Sequence, residues 1–165
     1  MTTAEYKPDS GRPASDGARR RILYVEDDVD IFRVTHHKLR SKYDLVAAVN
    51  DAEACRALTD PGEGFHAVLM DIDLRGSALD GLQLIKLMRG TLPASEMPAY
   101  ARGVPVSQTP VIILSASADS YREQDLIDLG ADRALCKPVD FVDLTLTLAQ
   151  LNLRQARRSF RPPAM

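Results

Sequence analysis

No apolar run in these 165 residues approaches the roughly 20 needed to cross a bilayer as a helix. The polar N-terminus also lacks the apolar core of a secretory signal. There are two cysteines, Cys55 and Cys136, too few for a disulfide framework or a metal cluster, so the expected compartment is a reducing cytoplasm. The adjacent pair His36-His37 has no acid or cysteine at ligand spacing, which argues against a zinc centre. No internal repeat is present, which excludes a solenoid. What is present is ordinary for a soluble globular chain: 45% apolar and 27% charged residues, and a length that suits one domain with tails.

The net charge of −2 conceals an asymmetry. Residues 22–151 hold 20 acids and 12 bases, residues 1–21 hold 5 bases and 3 acids, and residues 152–165 hold four arginines and no acid. An acidic centre argues against a folded domain that grips nucleic acid directly. The first stretch carries Pro8, Gly11, Pro13 and Gly17 among small polar residues and reads as a disordered arm. The expected division is an arm over residues 1–20, one domain over 21–153 and a basic tail over 154–165.

Along the chain, strands are expected at 21–26, 45–49, 67–71, 111–114 and 133–136, each short and apolar. Helices are expected at 29–42, 51–58, from 80–81 to a stop at Gly90, at 119–129 before Gly130, and at 140–158. Ile31, Val34, Thr35 and Leu39 share a face of the first helix. Asp28 or Asp30 suits its N-cap, and Asn50 or Asp51 that of the second. Residues 91–108, with Pro93, Pro98 and Pro105, show no clean period and form an unusually long connection. Strand and helix alternate five times, which predicts an α/β fold with a parallel sheet and helices on both faces. The most probable strand order is 2-1-3-4-5, the flavodoxin-like arrangement.

That order brings the C-terminal ends of strands one, three, four and five side by side, with Glu26 and Asp27, Asp71, Ser115 and Lys137 at those ends. Asp71 closes the apolar run Ala67-Val-Leu-Met. An aspartate at a strand end also serves as an ordinary cap, but a cap has no need of these neighbours. Three close carboxylates repel one another, and a hard divalent cation with oxygen ligands relieves the repulsion; Mg²⁺ suits such a site. A cation, a free carboxylate, an amine and a hydroxyl together suit phosphoryl transfer onto Asp71.

The segments Ile22-Leu-Tyr-Val-Glu-Asp-Asp28, Val68-Leu-Met-Asp-Ile-Asp-Leu74, Asp80-Gly81-Leu82, Pro110-Val-Ile-Ile-Leu-Ser-Ala116, Gly130-Ala131-Asp132 and Cys136-Lys-Pro138 occur in an order that resembles the receiver domain of bacterial two-component response regulators, the CheY-like family. The resemblance spans about residues 21–153. It implies that Asp71 accepts phosphate and that Asp27 directly, and Glu26 through water, hold Mg²⁺. It further implies that the backbone carbonyl of Asp73 is a ligand, Ser115 the switch hydroxyl and Lys137 a phosphate contact, with a cis Lys137-Pro138 bond. The implied partners are a histidine kinase or histidine phosphotransfer protein as donor and a separate downstream effector; an attached output domain is not expected, because only about a dozen residues follow the expected domain. The implied catalysis is limited to the chain's own phosphorylation and dephosphorylation. Three departures stand out. The loop after Asp71 (Leu74-Arg75-Gly76-Ser77) lacks the family's usual proline. The 91–108 connection is about ten residues longer than is common. Ala134 replaces the aromatic that normally relays the switch, so a readout through the long loop or the last helix is expected.

Two other readings compete. Asp71-Ile-Asp73 also resembles the nucleophile motif of haloacid-dehalogenase phosphatases, but that motif belongs on a first strand, and no cap domain is present. A degenerate receiver acting as a constitutive interaction module has no need of so many clustered charges. The last helix carries leucines at 144, 146, 148, 151 and 153, more than one core-facing stripe requires; core burial and a homodimer face are the two readings. Both cysteines are expected to be small apolar fillers.

Overall fold

The computed structural model describes residues 19–60, 62 and 64–159. Five parallel strands, β1 (Arg20–Val25), β2 (Tyr43–Ala48), β3 (Ala67–Met70), β4 (Val111–Ser115) and β5 (Arg133–Cys136), form one sheet in the order β2-β1-β3-β4-β5. The helices are α1 (Val29–Leu39), α2 (Asp51–Thr59), α3 (Gly81–Arg89), α4 (Glu123–Leu129) and α5 (Phe141–Ser159). Alternate residues of each strand feed opposite faces, as the pleat requires. Leu23, Val25, Val68, Met70, Val111 and Ile113 pack under α2, α3 and α4, with Ala54, Ile85 and Leu126 among their partners. Ile22, Tyr24, Leu69, Ile112 and Leu114 pack under α1 and α5, against Leu39, Leu144 and Leu148. The predicted α/β fold and strand order are those observed.

Local signals position the elements that carry the site. Asp28 Oδ1 accepts the Asp30 and Ile31 N–H groups and caps α1. Asn50 caps α2, and Asp80 with Gln83 forms a capping box at α3. Gly90, at φ 75°, supplies the left-handed turn that ends α3.

Several boundaries differ from expectation for physical reasons. The first helix stops at Leu39 rather than residue 42 because Tyr43 is buried in the α1–α5 core and draws β2 two residues earlier. That strand ends before Val49, whose N–H goes to the Glu53 carboxylate instead of the sheet. Residues 118–120 form a separate 3-10 turn, and α4 begins only at Glu123. The last helix, Phe141–Ser159, lies within one residue of its expected ends and so includes the first half of the expected tail. The arm over residues 1–18 and the tail beyond 159 lie outside the described residues. Val34, expected on the core face of α1, is 54% exposed, whereas Thr35 and Leu39 are buried.

The long 91–108 connection is ordered by two 3-10 turns, Ala94–Glu96 and Ala99–Ala101, with Leu92 and Ala101 in the core. Its ends are held by Arg89, whose guanidinium donates to the carbonyls of Ser107, Thr109 and Gly130 at 2.7, 2.9 and 3.1 Å. Its middle is held by Tyr100, whose hydroxyl donates to the buried Asp51 carboxylate at the start of α2.

Candidate functional site

The sheet directs the ends of β1, β3, β4 and β5 into one depression. Asp71 follows β3 directly, and its N–H still bonds the Val25 carbonyl of β1 at 3.0 Å. Its carboxylate is thereby set beside Glu26 and Asp27, the first residues beyond β1. One oxygen of each of these three carboxylates lies within 4.8 Å of the others. Glu26 and Asp71 are buried, at 2% and 5% exposure. Such a group of anions is tolerable only with a compensating cation. Lys137, just past β5, supplies one: its ammonium donates to Glu26 Oε2 and, at 3.1 Å, to Asp71 Oδ2. The cis Lys137-Pro138 bond expected from the sequence is present.

Burial pushes the Glu26 carboxyl up, and the Lys137 ammonium and the Asp28 backbone N–H pull against it. Burial alone would lower Lys137; hydrogen bonds and charges from Glu26 and Asp71 outweigh it and hold the ammonium above its ordinary range. Lys137 is therefore charged at neutral pH.

Asp27 is held differently. Burial disfavours its charged form, but the Arg75 guanidinium outweighs that and keeps the carboxyl below its usual range. Arg75 Nε donates to Asp27 Oδ2 at 2.7 Å, and the Arg75 backbone N–H donates to the same oxygen at 3.3 Å. All donors in the three-carboxylate group are oxygens, the ligand set of a hard divalent cation such as Mg²⁺.

Ser115, the last residue of β4, is fully buried. Its hydroxyl shares a 3.0 Å hydrogen bond with that of Ser117, which in turn donates to the Asp73 carboxylate at 2.6 Å. The structure thus brings Glu26, Asp71 and Lys137 into contact, sets an Asp27 oxygen within 4.8 Å of the other two carboxylates, and pairs the Ser115 hydroxyl with Ser117. The Asp73 side chain joins the serine pair, and its N–H approaches Asp71 Oδ1 at 3.4 Å.

Two participants escaped the sequence reading. Arg75 counted only as a departure from pattern, and Ser117 was not singled out. Residues 116–117 form a turn beyond β4, so no strand or helix period pointed to Ser117. Cys136 is not the buried filler expected. It is half-buried, and its thiol donates to Asp119 at 2.9 Å, which raises its pKa. Cys55 is buried as expected. His37 is exposed and His36 half-buried, stacked on Phe32.

Comparison with known proteins places this geometry. The response regulator receiver domain, as a family, matches residues 22–149. The chain belongs to that family, a class of signalling modules rather than a conventional enzyme family. Among curated proteins it is 31% identical over 135 residues to an uncharacterized transcriptional regulatory protein, YkoG of Bacillus subtilis, covering 81% of this chain and 51% of that protein. It is 28% identical over 140 residues to RcaC of Microchaete diplosiphon, covering 85% of this chain and 19% of RcaC. The chain therefore spans about half of one relative and about a fifth of the other.

Among solved structures, the receiver domain of a Francisella response regulator has the same fold, with a TM-score of 0.66 at 23% identity over 83% of this chain and 99% of that one. The receiver domain of a sensor histidine kinase from Pseudomonas aeruginosa gives a TM-score of 0.62 at 25% identity, covering 81% and 98%. That protein was solved with a magnesium ion coordinated in its active-site cleft. Among the described residues of the present chain, no helix is long and apolar enough to cross a membrane.

Proposed function

We propose that this chain is a phosphorylation-controlled switch whose Asp71 accepts a phosphoryl group from a histidine kinase or a histidine phosphotransfer protein. The observation that carries the reading is the Lys137 ammonium bonded to both Glu26 and Asp71, with Asp27 completing an all-oxygen group. An Asp71 oxygen attacks the phosphorus of the donor phosphohistidine, and the P–N bond breaks with its electron pair leaving on the imidazole nitrogen. Lys137 faces the phosphoryl oxygens and holds Asp71 in line. The Ser115 hydroxyl leaves Ser117 and donates to a phosphoryl oxygen. Asp27, Glu26, Asp71 and the Asp73 backbone carbonyl would hold Mg²⁺, which supplies charge neutralisation for the transferring group. The family membership and the Pseudomonas relative's bound magnesium both support this assignment.

The working unit is the receiver domain over residues 21–153, acting in the cytoplasm. Its activity is confined to its own phosphorylation and dephosphorylation, and a separate effector protein reads its state. A groove of about 570 Å³ beside Lys137, lined by Ile31, Val34, Pro138, Val139 and Phe141 together with Asp28 and Asp30, is largely apolar and suits the seating of the donor protein near the Lys137 end of the site. Ala134 provides no aromatic relay, so the state is read at the 91–108 connection or at α5. On α5, Val142, Leu146 and Leu153 are exposed at 70%, 57% and 63%, a surface suited to a second copy or to the effector.

Acetyl phosphate or beryllofluoride with Mg²⁺ tests the proposal by intact-protein mass. The expected result is a single adduct that is lost in Asp71→Asn. No adduct together with no Mg²⁺ binding would falsify it. Amide chemical shifts of both forms locate the readout, and unchanged shifts at both the 91–108 connection and α5 would end that part of the reading. An unchanged mass for Leu146→Glu in light scattering would exclude self-association through α5.

A further inference from the structure

The loop after β3 has a rigid backbone and one loose side chain. Leu74 and Leu79 are buried, the Leu79 N–H donates to Asp51 at 2.9 Å, and Ser77 Oγ accepts the Asp51 N–H at 3.0 Å. Gly76, at φ 73°, makes the turn between them. The pinned backbone presents Arg75 above Asp27 and gives its N–H to Asp27 Oδ2. The Arg75 side chain itself is 82% exposed, so its guanidinium can rotate off Asp27 without moving the loop.

The charges in direct contact show what that freedom can do. Glu26, Asp27 and Asp71 stand against Lys137 and Arg75, leaving one net negative charge. A divalent cation added beside Arg75 reverses the sign, whereas a divalent cation without the guanidinium gives neutrality. A phosphoryl group or its beryllofluoride mimic on Asp71 then adds one negative charge, and the guanidinium restores neutrality. The oxygens of Asp27 and Asp71 are within 4.8 Å of one another, so an arginine that reaches the first is close to the second.

We propose that Arg75 is an exchangeable counter-charge of this site: it holds Asp27 when no metal is present, opposes the incoming divalent cation, and returns to stabilise the modified Asp71. This rests on the reading of the site given above. It assigns to Arg75 a positioning role that acts through Asp27 and the acceptor's new charge.

The test is a pair of titrations by calorimetry on the full chain, wild type against Arg75→Gln and Arg75→Lys: Mg²⁺ alone, then beryllofluoride at saturating Mg²⁺. Arg75→Gln is expected to bind Mg²⁺ roughly two- to five-fold more tightly and beryllofluoride weaker by a similar factor, the range of a partly exposed ion pair. Arg75→Lys, which keeps the charge, is expected to stay near wild type in both. The opposite signs matter, because a variant that merely loosened the loop would weaken both. Equal affinities, or two shifts in one direction, overturn the inference while Mg²⁺ binding itself leaves the receiver reading standing. A wild-type chain that takes up no Mg²⁺ overturns both.

Discussion

Two buried aspartates stand at the carboxyl edge of the sheet, and their surroundings could hardly differ more. Asp51 is 3% exposed and Asp71 5%. Asp51 is filled by neutral donors: the Ala52 and Leu79 N–H groups at 2.9 Å each, and the Tyr100 hydroxyl. Asp71 has the Lys137 ammonium at 3.1 Å and one long N–H at 3.4 Å. The first carboxylate has spent its lone pairs on holding α2, the 74–79 loop and the 91–108 connection together. The second keeps lone pairs free beside a cation. Burial alone does not separate the two carboxylates; unfilled acceptor capacity next to a positive charge does, and it is the feature on which the proposed role of Asp71 rests.

The contrast can be broken by exchanging the losses. Asp71→Asn should remove the phosphoryl or beryllofluoride adduct completely while leaving thermal stability unchanged or slightly raised, since one of three repelling anions is gone; mass and melting temperature report both. Asp51→Ala should do the reverse. It strands buried donors and is expected to cost about 2–4 kcal/mol in urea unfolding, with the adduct on Asp71 still formed. Tyr100→Phe removes one donor from Asp51 and is expected to cost about 1 kcal/mol. The phenol, pushed up to about 12 by burial and then by Asp51, should show a correspondingly late ultraviolet titration.

A half-buried ionisable group sharpens the comparison from the far edge of the sheet. Among the described residues, His66 Nε2 is buried without a hydrogen-bond partner. Burial, then the charge of Arg20, holds the ring below its ordinary 6.5. The unfolded chain therefore takes up a proton first. The stability due to neutral His66 is complete above pH 6.5 and is lost as pH falls through the lower folded value. Melting temperatures between pH 7 and 5 should fall more steeply for wild type than for His66→Gln, and parallel curves would remove His66 from the account. The smallest effect is expected at Cys136. Asp119→Asn should speed its alkylation at pH 8 roughly two- to five-fold, because the carboxylate that raises the thiol is gone.

The fold was legible because five short apolar runs alternate with helical periods, and the sheet order brings their ends together. The placement of the candidate site's residues was legible for the same reason, since Glu26, Asp27, Asp71, Ser115 and Lys137 each stand where an apolar run stops. Features set by distant contacts were not legible. Tyr43 draws β2 forward because of packing in the α1–α5 core, and Tyr100 orders the long connection through a residue 49 positions away. Arg75 looked like an ordinary loop residue because its partner precedes it by 48 positions. Cys136 turned toward Asp119, a residue expected to open a helix and instead placed in a separate turn.

The brace at Arg89 has a consequence for how the long connection could have been acquired. The Ser107 N–H bonds the Met88 carbonyl at 2.8 Å, and Arg89 grips the carbonyls on either side of Gln108. The connection thus leaves and rejoins the domain at nearly one point, as a closed ring of polymer does. Closure entropy grows only with the logarithm of ring length, so each doubling of the ring adds about 0.6 kcal/mol. An excursion so tied can lengthen or shorten over many generations at little entropic cost to the sheet that it decorates, provided that Leu92, Tyr100 and Ala101 keep their places.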